Sequence, residues 1–186
     1  MFTLIQDLDW SVLRWIHGTL SCGFLDVVMP AVSRMGDLGA IWILTALLML
    51  FSKKHRRCGL ILLIALGLCF VIGNQFLKPL IARSRPCWID TGVRLLIPNE
   101  TDYSFPSGHT LASFAAATVI FRMDRKGGAA AYLLAFLIAF SRLYLYVHFP
   151  SDILGGILIG LLIGHLALAL ASLPGAISCR FGTHIQ

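Results

Sequence analysis

A lysine, two arginines, two histidines, a serine, a glycine and an aspartate stand at fixed spacing in three short stretches of this chain. The first runs from Lys78 to Arg85 and Pro86, and the second is Pro106, Ser107, Gly108 and His109. The third runs from Ser141 and Arg142 through His148 to Asp152, between two long apolar runs. Charged groups are costly close to a bilayer, so their placement there marks function by default. A phosphate dianion needs several donors and compensating charge, and Lys78, Arg85 and Arg142 supply three cations, the arginines with forked donors. Ser107 and Gly108 are predicted to open a helix, whose free backbone N–H groups add an anion site. That set can stabilise charge on a five-coordinate phosphorus, so neither a metal nor a cofactor is expected.

Cleavage of a phosphate ester also needs a nucleophile and a proton donor for the departing oxygen. His148 with Asp152 suits the nucleophile, because a carboxylate that holds one ring N–H leaves the other nitrogen free to attack. Pro150 interrupts any continuous helix between them, so the pair is expected to meet across a helix start. His109 has no carboxylate nearby in sequence and suits the general acid, then the base that activates water. Taken singly, each of these residues reads as bundle packing, an interfacial anchor or a topological charge, as His17, His55, His165 and His184 do. Their company is what removes that reading.

The elements that must position these groups are membrane helices. The chain has 186 residues, 58% hydrophobic and only 13% charged, with net charge +6. A soluble domain is about 45–50% apolar and about 25% charged, so the soluble class is excluded. The positive balance has no hydrophilic basic arm or interleaved aromatics, so nucleic acid is not an expected partner. Cys22, Cys58, Cys69, Cys87 and Cys179 form no CxxC pair, which argues against zinc or redox chemistry. Cys87 is expected to have no intrachain disulfide partner, and the N-terminus does not read as a cleaved signal peptide.

We read one all-α domain over residues 1–186, a polytopic bundle of five to six transmembrane spans. Residues 1–21 form an amphipathic interfacial helix, with apolar groups at Leu4, Ile5, Leu8, Val12, Trp15, Ile16 and Leu20. Residues 22–36 are a weak first span, interrupted by Asp26, Pro30 and Arg34. Leu38–Phe51, Cys58–Leu77, Thr110–Phe121, Ala129–Val147 and Ile153–Leu173 are the clear candidates. Gly156, Gly160 and Gly164 in the last one form a groove for close helix packing. Lys53, Lys54, Arg56, Arg57, Arg122, Arg125 and Lys126 fall in two loops on one side, read as cytoplasmic. With six spans Arg14 and Arg180 join them, which places the candidate site on the outer face. Tyr144, Tyr146 and Trp88 read as interfacial aromatics. Asn74 stands one turn before Lys78, as a helix–helix hydrogen-bonding group or as an orienting neighbour.

Lys78 with Arg85 and Pro86, then Pro106 to His109, then Ser141, Arg142, His148 and Asp152, together resemble the three-part signature of the type 2 phosphatidic acid phosphatases. Vanadium haloperoxidases share that site but are soluble. Eleven identities in order and at spacing carry the likeness, over about a third of the chain. The resemblance implies a metal-independent membrane lipid phosphatase with His148 as nucleophile, and the division of roles between His148 and His109 leans on it. It also implies lipid partners and a bacterial inner-membrane location. Among small bacterial members, undecaprenyl diphosphate is the favoured substrate. Gly108 fits phosphatidate or phosphatidylglycerophosphate phosphatases as well. A lipid phosphotransferase and a non-catalytic anion binder would use the same cations. The oligomeric state is not legible.

Overall fold

The structure, a computed structural model, describes residues 2–172. The readings that involve Leu173, Cys179, Arg180 and His184 lie outside the described residues. The fold is all-helical, with no strand among the described residues. In chain order the helices are α1 (Phe2–Leu20), α2 (Gly23–Met35), α3 (Ala40–Phe51), α4 (Arg56–Cys69), α5 (Lys78–Ile81), α6 (Pro86–Ile89), α7 (Gly108–Met123), α8 (Arg125–Tyr144) and α9 (Pro150–Ala171). A 3₁₀ turn, Asp37–Gly39, joins α2 to α3, and a π-helical stretch, Phe70–Leu77, joins α4 to α5.

The segment Arg56–Ile89, α8 and α9 are long and apolar enough to cross a bilayer. The pair α2–α3 meets that standard only as a unit, bent by 45° at the 3₁₀ turn. A bend of that size continues the chain's direction instead of reversing it. α7 has 16 residues, or about 24 Å of rise, shorter than a hydrocarbon core of about 30 Å. It is nevertheless the centre of the bundle, buried at Thr110, Leu111, Ser113 and each position from Phe114 to Ile120. Small side chains explain this: its alanines and hydroxyls let α4, α8 and α9 approach closely. Trp42 Nε1 donates to Ser113 Oγ at 2.9 Å, and Thr118 Oγ1 meets the Tyr132 hydroxyl at 2.8 Å.

α7 turns into α8 through Asp124 alone, whose carboxylate accepts from the backbone N–H of Lys126 and Gly127 and so caps α8. So tight a turn leaves no room at Gly128, where a β-carbon would lie 2.1 Å from Phe121 Cα. The glycine ridge of α9 seats on α7 as expected. A β-carbon at Gly160 would lie 2.6 Å from the Leu111 carbonyl oxygen and 3.1 Å from Phe114 Cβ. Neither backbone can yield, so Gly160→Leu should destabilise the bundle by about 1–3 kcal/mol or more. A thermal melt of the purified variant in detergent checks this; an unchanged midpoint would show that α7 and α9 do not meet there.

The seven basic residues Lys53, Lys54, Arg56, Arg57, Arg122, Arg125 and Lys126 sit at one end of α3, α4, α7 and α8, and the three motifs sit at the other. α1 belongs to the motif end, since Trp10 packs on Tyr146 and Phe149 at 6.3 and 5.0 Å. Arg14, whose guanidinium lies over Trp10, is therefore at the motif end too, which corrects the charge count made for six spans. Leu4, Ile5, Leu8, Val12 and Trp15 of α1 are exposed as an apolar stripe, while Asp9, Leu13 and Ile16 face inward. Tyr144 and Tyr146 are buried, which corrects their reading as interfacial aromatics: the Tyr144 hydroxyl donates to Asp26 at 2.6 Å.

Candidate active site

All three motifs converge on one cavity of about 810 Å³ at the end of the bundle. Lys78, Arg85, Gly108, His109, Arg142 and His148 line it. Ile43, Leu63, Leu66, Phe70 and Leu111, from α3, α4, the π-helical stretch and α7, give the same cavity an apolar lining. The π-helical stretch brings Asn74 to the same cavity, and π-helical insertions of this kind are frequent at functional sites. Asn74 Oδ1 lies 3.1 Å from where a β-carbon on residue 108 would stand, with Lys78 Nζ at 3.9 Å. Glycine at 108 thus keeps open the space between Lys78 and the start of α7.

Ser107 is the N-cap residue of α7, as its sequence position predicts. Its side chain is buried and accepts from Thr110 Oγ1 at 3.0 Å, while its own N–H goes to the Asp152 carbonyl at 3.3 Å. That bond ties the start of α7 to the start of α9. Pro150 opens α9, so His148 lies in the preceding turn and Asp152 in the first turn, which is the helix-start meeting expected.

The pair does not touch directly. His148 Nδ1 is 3.7 Å from Asp152 Oδ2, beyond hydrogen-bonding reach, which corrects the expectation that the carboxylate holds the ring itself. Ser104 stands between them, a residue the sequence reading missed. Its hydroxyl donates to Asp152 Oδ2 at 2.6 Å and lies 3.3 Å from His148 Nδ1. With the Ser104 proton given to the carboxylate, its oxygen accepts from Nδ1–H. Nε2 is then the nitrogen that carries the ring's lone pair, and it accepts from Arg85 Nη1 at 3.1 Å. Burial first, then the charges of Arg85, Arg142 and Lys78, push the His148 proton affinity well below the ordinary imidazole value of 6.5.

His109 has a carboxylate partner after all. Its Nε2 meets Asp37 Oδ1 at 2.8 Å, across 72 residues of sequence. Asp37 arrives there through the α2–α3 break, where Leu38 and Gly39 take positive φ of 52° and 71°. The two histidines therefore have separate acidic supports, one from the α2–α3 break and one from α9.

The three cations are each engaged from the connection that joins the first two motifs. Lys78 and Arg85 pair with Asp102, and Arg142 pairs with Glu100. Arg85, only 1% exposed, also donates to the Val147 carbonyl at 2.8 Å and to the Asp102 carbonyl at 2.7 Å. Arg142 donates to Ser33 Oγ at 2.6 Å, and its Nε is the buried side-chain nitrogen left without a partner among the described residues. Burial works to raise the Asp102 pKa, but the bonds and charges of Lys78 and Arg85 outweigh it and hold it at about 2. The carboxylate is therefore ionised at any working pH and stands where an anion would be drawn. Arg83, between the paired cations in sequence, is absent from the cavity wall and turns instead toward Asp9 and Asp152.

The PAP2 superfamily profile matches residues 56–173, more than half of the chain. An undecaprenyl-diphosphatase from Sulfolobus acidocaldarius is 36% identical over 149 residues, which are 80% of this chain and 71% of that protein. The crystal structure of Aquifex aeolicus LpxE superimposes with a TM-score of 0.75 at 31% identity, covering 87% of this chain and 95% of LpxE. A PAP2-type phosphatidylglycerolphosphate phosphatase from Bacillus subtilis superimposes with a TM-score of 0.72 at 27% identity, covering 88% of this chain and 84% of that one.

Proposed function

This chain belongs to the PAP2 superfamily and is a membrane lipid phosphatase; we propose that it hydrolyses a lipid diphosphate, undecaprenyl diphosphate or a close analogue, through a phosphohistidine on His148. The observation that carries this reading is the cavity itself, lined by the cations Lys78, Arg85 and Arg142 and two histidines, together with apolar side chains of α3, α4, the π-helical stretch and α7. Such a cavity fits an amphiphile whose phosphate meets Lys78, Arg85 and Arg142 while its chain lies against α3 and α4. The undecaprenyl-diphosphatase relative supports the prenyl diphosphate. The Bacillus neighbour supports phosphatidylglycerophosphate as the second reading.

In the reaction, His148 Nε2 attacks the terminal phosphorus as its bond to the bridging oxygen breaks. His109 gives that oxygen a proton, and the lipid phosphate leaves. The three cations and the free N–H groups of α7 hold the charge that builds on the equatorial oxygens. His109, now a base, takes a proton from water as the water oxygen bonds to phosphorus. The N–P bond breaks and inorganic phosphate departs. Fixed protein cations supply the charge, so excess chelator should leave the rate unchanged, and vanadate should inhibit as a mimic of five-coordinate phosphorus. The seven basic residues at the opposite end support a cytoplasmic-membrane orientation with this cavity outward.

Purified protein assayed against undecaprenyl diphosphate, phosphatidate and phosphatidylglycerophosphate tests the reading by phosphate release. The diphosphate is expected to give the highest kcat/KM. Release from none of the three by folded protein would overturn the hydrolase reading. Labelled phosphate found on an added acceptor lipid instead of in water would assign a phosphotransferase.

A further inference from the structure

Asp9 is a carboxylate only 3% exposed on a helix that otherwise reads as amphipathic, and the reaction above gives it no task. A buried charge persists only when it is paired and hydrogen-bonded. Asp9 Oδ1 accepts from the Ser151 N–H at 2.9 Å, and Oδ2 accepts from Ser151 Oγ at 2.5 Å and from Arg83 Nη2 at 2.6 Å. Arg83 spends the rest of its fork in the same place. Its Nη1 donates to Asp152 Oδ1 and Ser151 Oγ, both at 2.6 Å, and its Nη2 also donates to Gln6 Oε1 at 2.9 Å. The guanidinium carbon lies over Phe149, 4.3 Å from the ring centre.

We propose that Asp9 and Arg83 are positioning residues for phosphate transfer: α1 holds Arg83, Arg83 fixes Asp152, and Asp152 fixes His148 through Ser104. The inference rests on the reading of His148 and Asp152 given above. Both oxygens of Asp152 are occupied, Oδ1 by Arg83 and Oδ2 by Ser104 Oγ and the Phe149 N–H at 2.8 Å. Removing the donor on Oδ1 frees the carboxylate to turn, and Ser104 then loses the acceptor that aims its oxygen at the ring. A planar fork is what this place needs, because one side chain must bridge two carboxylates at once. Arg83 is not a fourth phosphate ligand, since its donors face Asp9, Gln6, Ser151 and Asp152 and it does not line the cavity.

The test is a mutant cycle on full-length protein with a lipid diphosphate as substrate, reading kcat and KM separately. Asp9→Asn and Arg83→Gln should each lower kcat about 10- to 100-fold, the worth of a hydrogen bond to a charged group, with KM unchanged. In an Asp152→Asn background the same changes should cost nothing further, because they act through that carboxylate. Should Asp9→Asn fail to fold, Ser151→Ala removes the hydroxyl that links Asp9 to Arg83 and should lower kcat about threefold. Wild-type kcat in these variants would overturn the proposal, as would equal losses in both backgrounds or a raised KM at unchanged kcat. If His148→Ala and Asp152→Asn leave the rate unchanged, the catalytic reading fails instead. If they abolish it while Asp9→Asn and Arg83→Gln are silent, only the positioning role fails.

Discussion

Replacing His148 with alanine is expected to lower turnover by about 10⁴-fold or more, with no phosphorylated protein trapped on acid-free quenching. The expectation comes from the geometry around the ring. Ser104 takes Nδ1–H, and Nε2 is left as the lone pair inside the cavity, 3.1 Å from Arg85 Nη1. Arg85 lends Nε2 a donor that an incoming phosphate oxygen can take over, while Ser104 supports the ring on its far side. His109→Gln should behave differently. A diphosphate has a fairly good leaving group, so phosphorylation of His148 slows but continues, whereas hydrolysis of the phosphohistidine loses its base. Labelled phosphoenzyme should therefore accumulate in His109→Gln and be absent from His148→Ala. Because burial and the neighbouring cations depress the His148 proton affinity, the ring stays unprotonated into mildly acidic solution. The acid limb that it contributes to kcat/KM should fall below pH 6.5. Retention of a tenth of wild-type turnover by His148→Ala would remove the nucleophile assignment.

How much of this could be read from the sequence depends on the range of the interaction. Pro150, Ser107 and the apolar runs act locally, so the start of α9, the opening of α7 and the course of α8 were legible. The glycine ridge was legible for the same reason: period and side-chain size are properties of one segment. Asp37 was not, because the α2–α3 break carries it to His109 across 72 residues, and an acid beside a 3₁₀ turn has no sequence mark. Ser104 falls in the connection between two motifs and looks like any loop hydroxyl. Asp9 had no mark either: it shares the inward face of α1 with Leu13 and Ile16, and its partners Arg83 and Ser151 lie far along the chain. The buried tyrosines misled, since an aromatic at a helix end reads as interfacial until something packs over it.

The carboxylates of the connecting loop change how the phosphate site is to be understood. Glu100 and Asp102 hold Arg142, Lys78 and Arg85 at the cavity. A cluster of buried cations would otherwise repel itself, and the loop acids let it fold with its side chains already gathered. On the proposed reading, an arriving phosphate competes with the acids for these donors. Arg142 Nε, buried and without a partner among the described residues, is on that reading a donor that the phosphate would gain without displacing an acid.

Arg85 is where this arrangement can be tested with the second large effect. It is buried to 1% exposure and joins the Val147 carbonyl, the Asp102 carbonyl and carboxylate, and the His148 ring. One side chain thus ties the turn that carries His148 to the acidic loop and, on the proposed reading, supplies charge to the phosphate as well. Arg85→Gln should lower kcat/KM about 10³-fold, at the upper end for loss of one transition-state donor, because the neighbouring contacts fail with it. Arg85→Lys should recover about tenfold at most: a single ammonium cannot serve the Val147 carbonyl and a phosphate oxygen together. Asp102→Asn should move the other way in KM, since it weakens the anion that the phosphate must displace. Inhibition by vanadate reads the same contacts without chemistry, so its inhibition constant should rise in Arg85→Gln in parallel with the rate loss. An unchanged vanadate constant alongside a large fall in rate would place Arg85 with the loop and the turn, and take it away from the phosphate.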